Sequence, residues 1–166
     1  MKRFVADTEP VLHLHEAGGL HLLPLLGEIF IPPLVIAELR AHAPSLWLNL
    51  PPGWVKLQTL SARARQRAVE WQRSGLLHGG EAEALALAGD LKTDCFLTDD
   101  AAARLMAESL GLEVRGSIGV VLLAAAKNLV SKTEAASCWH GLEKSSLWMS
   151  PKVRAEARAA LEKLLG

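Results

Sequence analysis

Short apolar runs alternate along this chain with longer stretches of helical periodicity, and that alternation constrains the fold more than any other feature. "RFVAD", "EIFIP", "DCFLT" and "LEVRG" each read as a strand, and "WVKLQTL" as an edge strand or an extended linker. The segments between them carry helix signals. "PPLVIAELRAH" opens with prolines, which a first helical turn tolerates, and Ser61 stands as an N-cap before "ARARQRAVEWQR". The alanines and leucines of "EAEALALAG" cover most faces of a helix, which predicts burial. "DAAARLMAESLG" closes at Gly111, and "SIGVVLLAAAKN" is a very apolar helix. Near the end, Ser150 and Pro151 start a helix with apolar Val153, Ala157, Leu161 and Leu164 at helical spacing. "APSLWLNLPPG" reads as a proline-rich loop. Strands alternating with helices predict a layered α/β domain with a parallel sheet.

The length of 166 residues fits a single domain over 1–166, large enough to bury its own core. No run reaches the roughly 18 apolar residues of a membrane span, and "MKRFVADTEP" meets Asp7 before a secretory h-region can form. A cytoplasmic protein with no membrane partner is expected. Cys95 and Cys138 make neither a disulfide framework nor a zinc pattern. Lys plus Arg equals Asp plus Glu at 18 each, so no global field draws the chain to a polyanion. A nucleic-acid partner has to be held by local basic residues or by metal.

The strand at "CFLTDD" ends in two adjacent carboxylates, Asp99 and Asp100. Such a pair repels itself and is costly to desolvate. In an open parallel sheet, ligands bind beyond the carboxyl ends of the strands, and other acids stand at comparable places. Asp7 follows the first strand, Glu38 lies about two turns into the helix after the second, and Glu81 follows Gly79 and Gly80. All reach one edge if the "TDD" strand lies beside the first. Singly, each has a plain structural use: Asp7 as a helix cap, Glu38 as a solvated helix glutamate, Glu81 against a helix dipole. Together, without a basic partner, they raise one another's pKa, and a divalent cation removes the conflict. Oxygen-only ligands favour magnesium or manganese (Mg2+ or Mn2+) over zinc. The chemistry that suits such a site is phosphoester hydrolysis.

"VADTEP", "IPPLVIAEL", "GGEAEALALA", "FLTDDAAAR" and "LGLEVRGSIGVV" occur in an order that resembles the PIN-domain family, from Phe4 to about Leu129. The resemblance implies a three-layer α/β/α fold with a core over about 1–130 and a helical extension over about 131–166. It also implies a metal-dependent ribonuclease acting on RNA, in many cases the toxin paired with an antitoxin protein; a homodimer is expected separately, from the apolar composition and five tryptophans of a small chain. Carried over by position, Asp7, Glu81 and Asp100 bind metal with Asp99 auxiliary, and Glu38 completes the catalytic set. Thr98 matches the family's Thr-x-Asp and is assigned to the substrate. Arg104, one turn past Asp100, is placed either to touch a substrate phosphate or to tether the aspartate pair, the tether being favoured. Glu9 departs from the pattern, standing where a small hydroxyl residue is usual.

Two other readings are open. "VADTE" with "LTDDAAARLMAESLG" also resembles haloacid dehalogenase-like phosphatases, but Glu38 and Glu81 then have no role. A non-catalytic interaction protein keeping the fold suits the even net charge, Glu9 and the apolar "LWLNLPPGW". Among the remaining residues, Arg63, Arg65 and Arg67 alternate and cannot share a helix face. His13 and His15 point to different faces of their helix and read as surface or satisfied core residues. Trp47 and Trp54 suit packing or a subunit interface better than base stacking.

Overall fold

A computed structural model of the chain describes residues 1–47 and 51–166. Its strands are β1 (Arg3–Ala6), β2 (Glu28–Ile31), β3 (Val55–Leu57), β4 (Cys95–Leu97) and β5 (Val114–Arg115). They form one sheet in the order β3-β2-β1-β4-β5, with every pairing parallel. Burial follows position: β1, β2 and β4 are apolar and almost wholly buried, whereas the edge strand β3 exposes Lys56 and Leu57. This is the pattern of a parallel sheet covered on both faces. "WVKLQTL" is thus the edge strand, while the expected proline-rich loop before it includes residues 48–50, outside the described residues.

The helices are α1 (Thr8–Glu16), α2 (Leu22–Leu26), α3 (Pro33–His42), α4 (Ala62–Arg73), α5 (Gly79–Leu91), α6 (Ala101–Ser109), α7 (Ser117–Ala126), α8 (Lys132–Lys144) and α9 (Pro151–Leu165). α5 lies against β1 and β4, with α3, α4 and α6 packed on it. Its Ala82, Ala84, Ala86 and Ala88 are all buried, as the small residues of a helix clamped between sheet and helices should be. On the other side α1, α2 and α7 pack together, and α8 and α9 close over α7. The result is a three-layer α/β/α arrangement. In α9 only Ala157 and Leu161 of the expected stripe are buried; Val153 and Leu164 at its ends remain exposed.

The central pairing of β1 with β4 is stitched at both ends by side chains. At the start, Arg3 N donates to Asp94 Oδ2 at 2.8 Å and Thr93 Oγ1 donates to Arg3 O at 2.7 Å. At the far end, Asp7 N donates to Leu97 O at 2.9 Å and Thr98 Oγ1 donates to Asp7 Oδ2 at 3.0 Å. With Ala6 opposite Leu97 in register, the residues that follow the two strands emerge side by side. Among the described residues no helix is long and apolar enough to cross a membrane.

Candidate active site

The first strand hands its chain straight into α1 through Asp7. Asp7 is 1 % exposed, with Oδ1 accepting from Thr8 N at 2.7 Å and Oδ2 from Thr98 Oγ1. It is the N-cap of α1, but a serine would serve that purpose without burying a carboxylate. Burial pushes its carboxyl up to about 7, the bonds from Thr8 and Thr98 oppose this, and the charges of Glu81 and Glu9 add to it. Asp7 is therefore a buried acid poised near neutrality.

Thr98 is fully buried and joins two acids. While its hydroxyl donates to Asp7, its oxygen accepts from Asp100 N at 3.2 Å. Asp100 is the N-cap of α6, with Oδ2 accepting from Ala103 N at 2.8 Å. Thr98 thus fixes the spacing of Asp7 and Asp100; its bonds are to the protein.

Glu38 is carried inward by α3. Its Oε1 accepts from Thr8 Oγ1 at 2.6 Å and its Oε2 from Gly80 N at 3.2 Å. Gly80 permits that approach, since a Cβ there would lie 1.9 Å from Glu38 Oε1 and 3.0 Å from Thr8 Oγ1. Glu81, the next residue, folds back so that Oε2 accepts from His78 N at 3.2 Å. Desolvation raises its pKa, His78 counters this, and the charges of Asp100 and Glu9 raise it again. Glu9, exposed at the rim, is raised by partial desolvation and by Asp99 and Asp100, with His13 acting in the opposite direction.

A cleft of about 250 Å³ opens over these groups, lined by Asp7, Thr8, Glu9, Leu12, Glu38, His42, His78, Gly80 and Glu81. It lies at the carboxyl edge of the sheet, where β1 and β2 give way to α1 and α3. The structure thus brings Asp7, Glu38 and Glu81 into one cleft, with Asp100 linked to it through Thr98 and through its field on Glu81.

Asp99 and Arg104 stand apart from that cleft. Both oxygens of Asp99 are committed: Oδ1 accepts from Ser117 N at 2.7 Å, and Oδ2 accepts from Ser117 Oγ at 2.5 Å and lies 2.7 Å from His13 Nδ1. Asp99 therefore ties the end of β4 to α1 and to the start of α7. The two aspartates divide the work that their adjacency in sequence conceals, Asp100 capping α6 and Asp99 anchoring α7. His13 is a satisfied core histidine; burial disfavours its protonation, but the bond and charge of Asp99 with Glu9 and Glu16 outweigh it and raise its pKa. Arg104 rests against Gly116, beside Asp99, and no ion pair joins it to a carboxylate among the described residues.

Thr8, His42 and His78 line the cleft but carry no role in the sequence reading. Their signals were present: His42 follows Glu38 by one helical turn, and His78 precedes Glu81 by three residues. Gly116 and Ser117 belong to the "RGSIG" stretch, where Gly116 lets Asp99 approach and Ser117 receives it.

Carboxylate and hydroxyl oxygens of Asp7, Thr8, Glu9, Glu38 and Glu81 outnumber the imidazoles of His42 and His78 in the cleft, and an oxygen-rich set suits a hard divalent cation. The crowding that raises Asp7, Glu9 and Glu81 fits such an ion. Among the described residues, however, no three acidic, histidine or cysteine side chains are gathered as a ready set of ligands. The capping bonds engage Oε2 of Glu81 and Oδ2 of Asp100, and they hold those carboxylates in place while leaving the second oxygen of each to accept a ligand.

A family model described as a PIN domain matches residues 3–163. No curated protein matches the chain significantly. The family match runs from the start of β1 through the last helix and takes in every acid at the carboxyl edge, so the chain belongs to the PIN-domain family, whose members are generally nucleases.

Proposed function

We propose that the cleft is the active site of a metal-dependent ribonuclease that hydrolyses RNA phosphodiesters. The observation that carries this reading is Asp7, buried at the carboxyl edge, raised to about 7, and crowded by Glu81 and Glu9. A structural cap has no need of that environment, whereas a cation site does. Asp7, Glu81 and Asp100 would hold magnesium or manganese, which supplies charge neutralisation at a phosphoryl oxygen and a water of lowered pKa. Asp7 would give up its proton on holding the ion. Glu38, positioned by Thr8 and Gly80, orients the attacking water, and Thr98 keeps Asp7 and Asp100 at fixed spacing. Asp99 is left out of the ligand set because Ser117 and His13 already engage it.

A toxin role with an antitoxin protein as partner, and a homodimer, belong to the same reading. Family membership supports them, as do the exposed apolar residues Leu105 and Leu110 on and just after α6. The test is incubation of the purified chain with single-stranded RNA in magnesium or manganese. Cleavage that stops with chelator and is lost in Asp100→Asn supports the proposal; equal cleavage by the variant contradicts the site assignment.

A second reading rests on a specific observation. Asp7, Glu38, Glu81 and Asp100 each already hold a protein hydrogen-bond partner. A binding module that keeps the fold without turnover uses the acids in that way. RNA bound but uncut by the native chain in either metal would favour it.

A further inference from the structure

A second hollow, of about 160 Å³, opens at the carboxyl edge one strand over from the acidic cleft, where β4 and β5 give way to α6 and α7. Asp99, Arg104, Gly116, Ile118, Trp148 and Val153 contribute to its wall. Trp148 is 81 % exposed, although its neighbours are not: Met149 is buried and Leu147 half-buried. The turn that carries it is pinned, with Ser146 Oγ donating to Glu16 Oε1 at 2.5 Å and Leu147 N donating to Ser145 Oγ at 3.2 Å. An indole is thus presented to solvent from a fixed segment that could have packed it, and the exposed Val153 widens the apolar floor.

Arg104 supplies the complementary charge. It stands one turn beyond Asp100 on α6, against Gly116, and no carboxylate pairs with it among the described residues. The carboxylate in the same hollow, Asp99, is held by Ser117 and His13, and no ion pair joins it to the guanidinium among the described residues. A flat aromatic face, a free guanidinium and an apolar floor make the combination by which single strands are held. The base stacks on the ring and the phosphate meets the cation, without regard to sequence.

We infer that this hollow is a subsite for one unpaired nucleotide of a single-stranded RNA, its base stacked on Trp148 and its phosphate on Arg104. The inference rests on the ribonuclease reading above and adds to it a substrate contact outside the acidic cleft. A strand lying along the carboxyl edge of the sheet passes from the hollow, over Asp99 and Asp100, to Asp7. The subsite therefore holds a nucleotide to one side of the one that is cut. Duplex RNA, whose bases are already stacked, has none to offer.

The test measures binding of a labelled ten-nucleotide oligouridylate and of a duplex RNA by the full chain in magnesium. It is done in the Asp100→Asn background, to keep the probe intact. Trp148→Ala should weaken oligouridylate binding about tenfold or more, while Trp148→Phe, which keeps a stacking face, stays within about threefold. Arg104→Gln should weaken it and reduce the salt slope by about one. Duplex binding should be unmoved by the Trp148 changes. Unfolding curves matching the parent establish that the exposed substitutions leave the fold intact. Equal oligouridylate affinity in Trp148→Ala and parent overturns the subsite and leaves RNA binding standing. A change only in oligomeric state assigns the face to a second copy of the chain and also overturns it. Failure of every protein, the native chain included, to bind either RNA overturns the subsite and the ribonuclease reading together.

Discussion

Thr98 Oγ1 donates to Asp7 Oδ2 at 3.0 Å while accepting from Asp100 N at 3.2 Å, so one buried hydroxyl sets the distance between the acids that follow β1 and β4. Thr98→Val keeps the shape and removes both bonds. We expect a loss of about 1–3 kcal/mol in urea unfolding, because Asp7 forfeits a buried donor. Metal-dependent cleavage should fall more steeply than binding of RNA does. A variant with normal turnover would show that the spacing is not critical.

Asp100→Asn tests charge without removing the cap, since asparagine caps as well as aspartate. The melting temperature should stay close to the parent value, and metal-dependent RNA cleavage should disappear. Asp100→Ala should in addition lose about 1 kcal/mol of stability through the missing bond to Ala103 N.

Gly80→Ala should destabilise the fold although alanine is the better helix former. The new methyl would meet Glu38 Oε1 at 1.9 Å, and such overpacking costs about 1–3 kcal/mol. In a Glu38→Ala background only Thr8 Oγ1, at 3.0 Å, still crowds the methyl, so the same change should cost much less. A double-mutant cycle reads this coupling directly. Additive effects would mean that Glu38 does not occupy the space above Gly80.

Stability of the metal-free protein should decline as pH rises from about 4 to about 7. The sign follows from Asp7: its folded pKa of about 7 lies above the ordinary 3.8, so the folded chain binds more protons across that window. The raised Glu9 and Glu81 act in the same direction, and the raised His13 extends the decline above its ordinary 6.5. Asp7→Asn should flatten the profile, whereas a profile that rises with pH in the native chain would contradict the burial of a strained carboxyl. For the same reason, apparent affinity for magnesium should increase through neutrality.

Asp99→Ala should cost about 2–4 kcal/mol, since it strands Ser117 N and His13 in a buried setting. In Asp99→Asn, stabilisation by manganese should persist, and its loss would return Asp99 to the ligand set.

The legible parts of this molecule were local ones. Strand runs, caps at Ser61 and Ser150, and the burial of α5 follow from periodicity and turn chemistry, and all appear in the structure. The position of Asp7, Glu38 and Glu81 was legible too, because parallel strands bring their carboxyl ends to one edge. What could not be read was the partner of each side chain. Asp99 finds Ser117 eighteen residues on and His13 86 residues back, and neither separation leaves a mark in the local pattern. The reason for Gly80 likewise lies in Glu38, on another helix 42 residues earlier. The apolar stripe of α9 was correct in spacing, but the helix packs on α7 with only Ala157 and Leu161 buried, and the extent of that contact is not written in its own period.

The most direct measurement is thermal unfolding of the native chain and of Asp7→Asn/Asp100→Asn, each titrated with magnesium and with manganese at pH 7.5. A ligand that binds only the folded state stabilises it by about 2.7 kcal/mol at a hundred times its dissociation constant. A metal-dependent rise in the native chain that is absent from the double variant is the predicted result. Equal curves with and without metal in the native chain, or an equal rise in both proteins, would contradict a shared cation at Asp7 and Asp100.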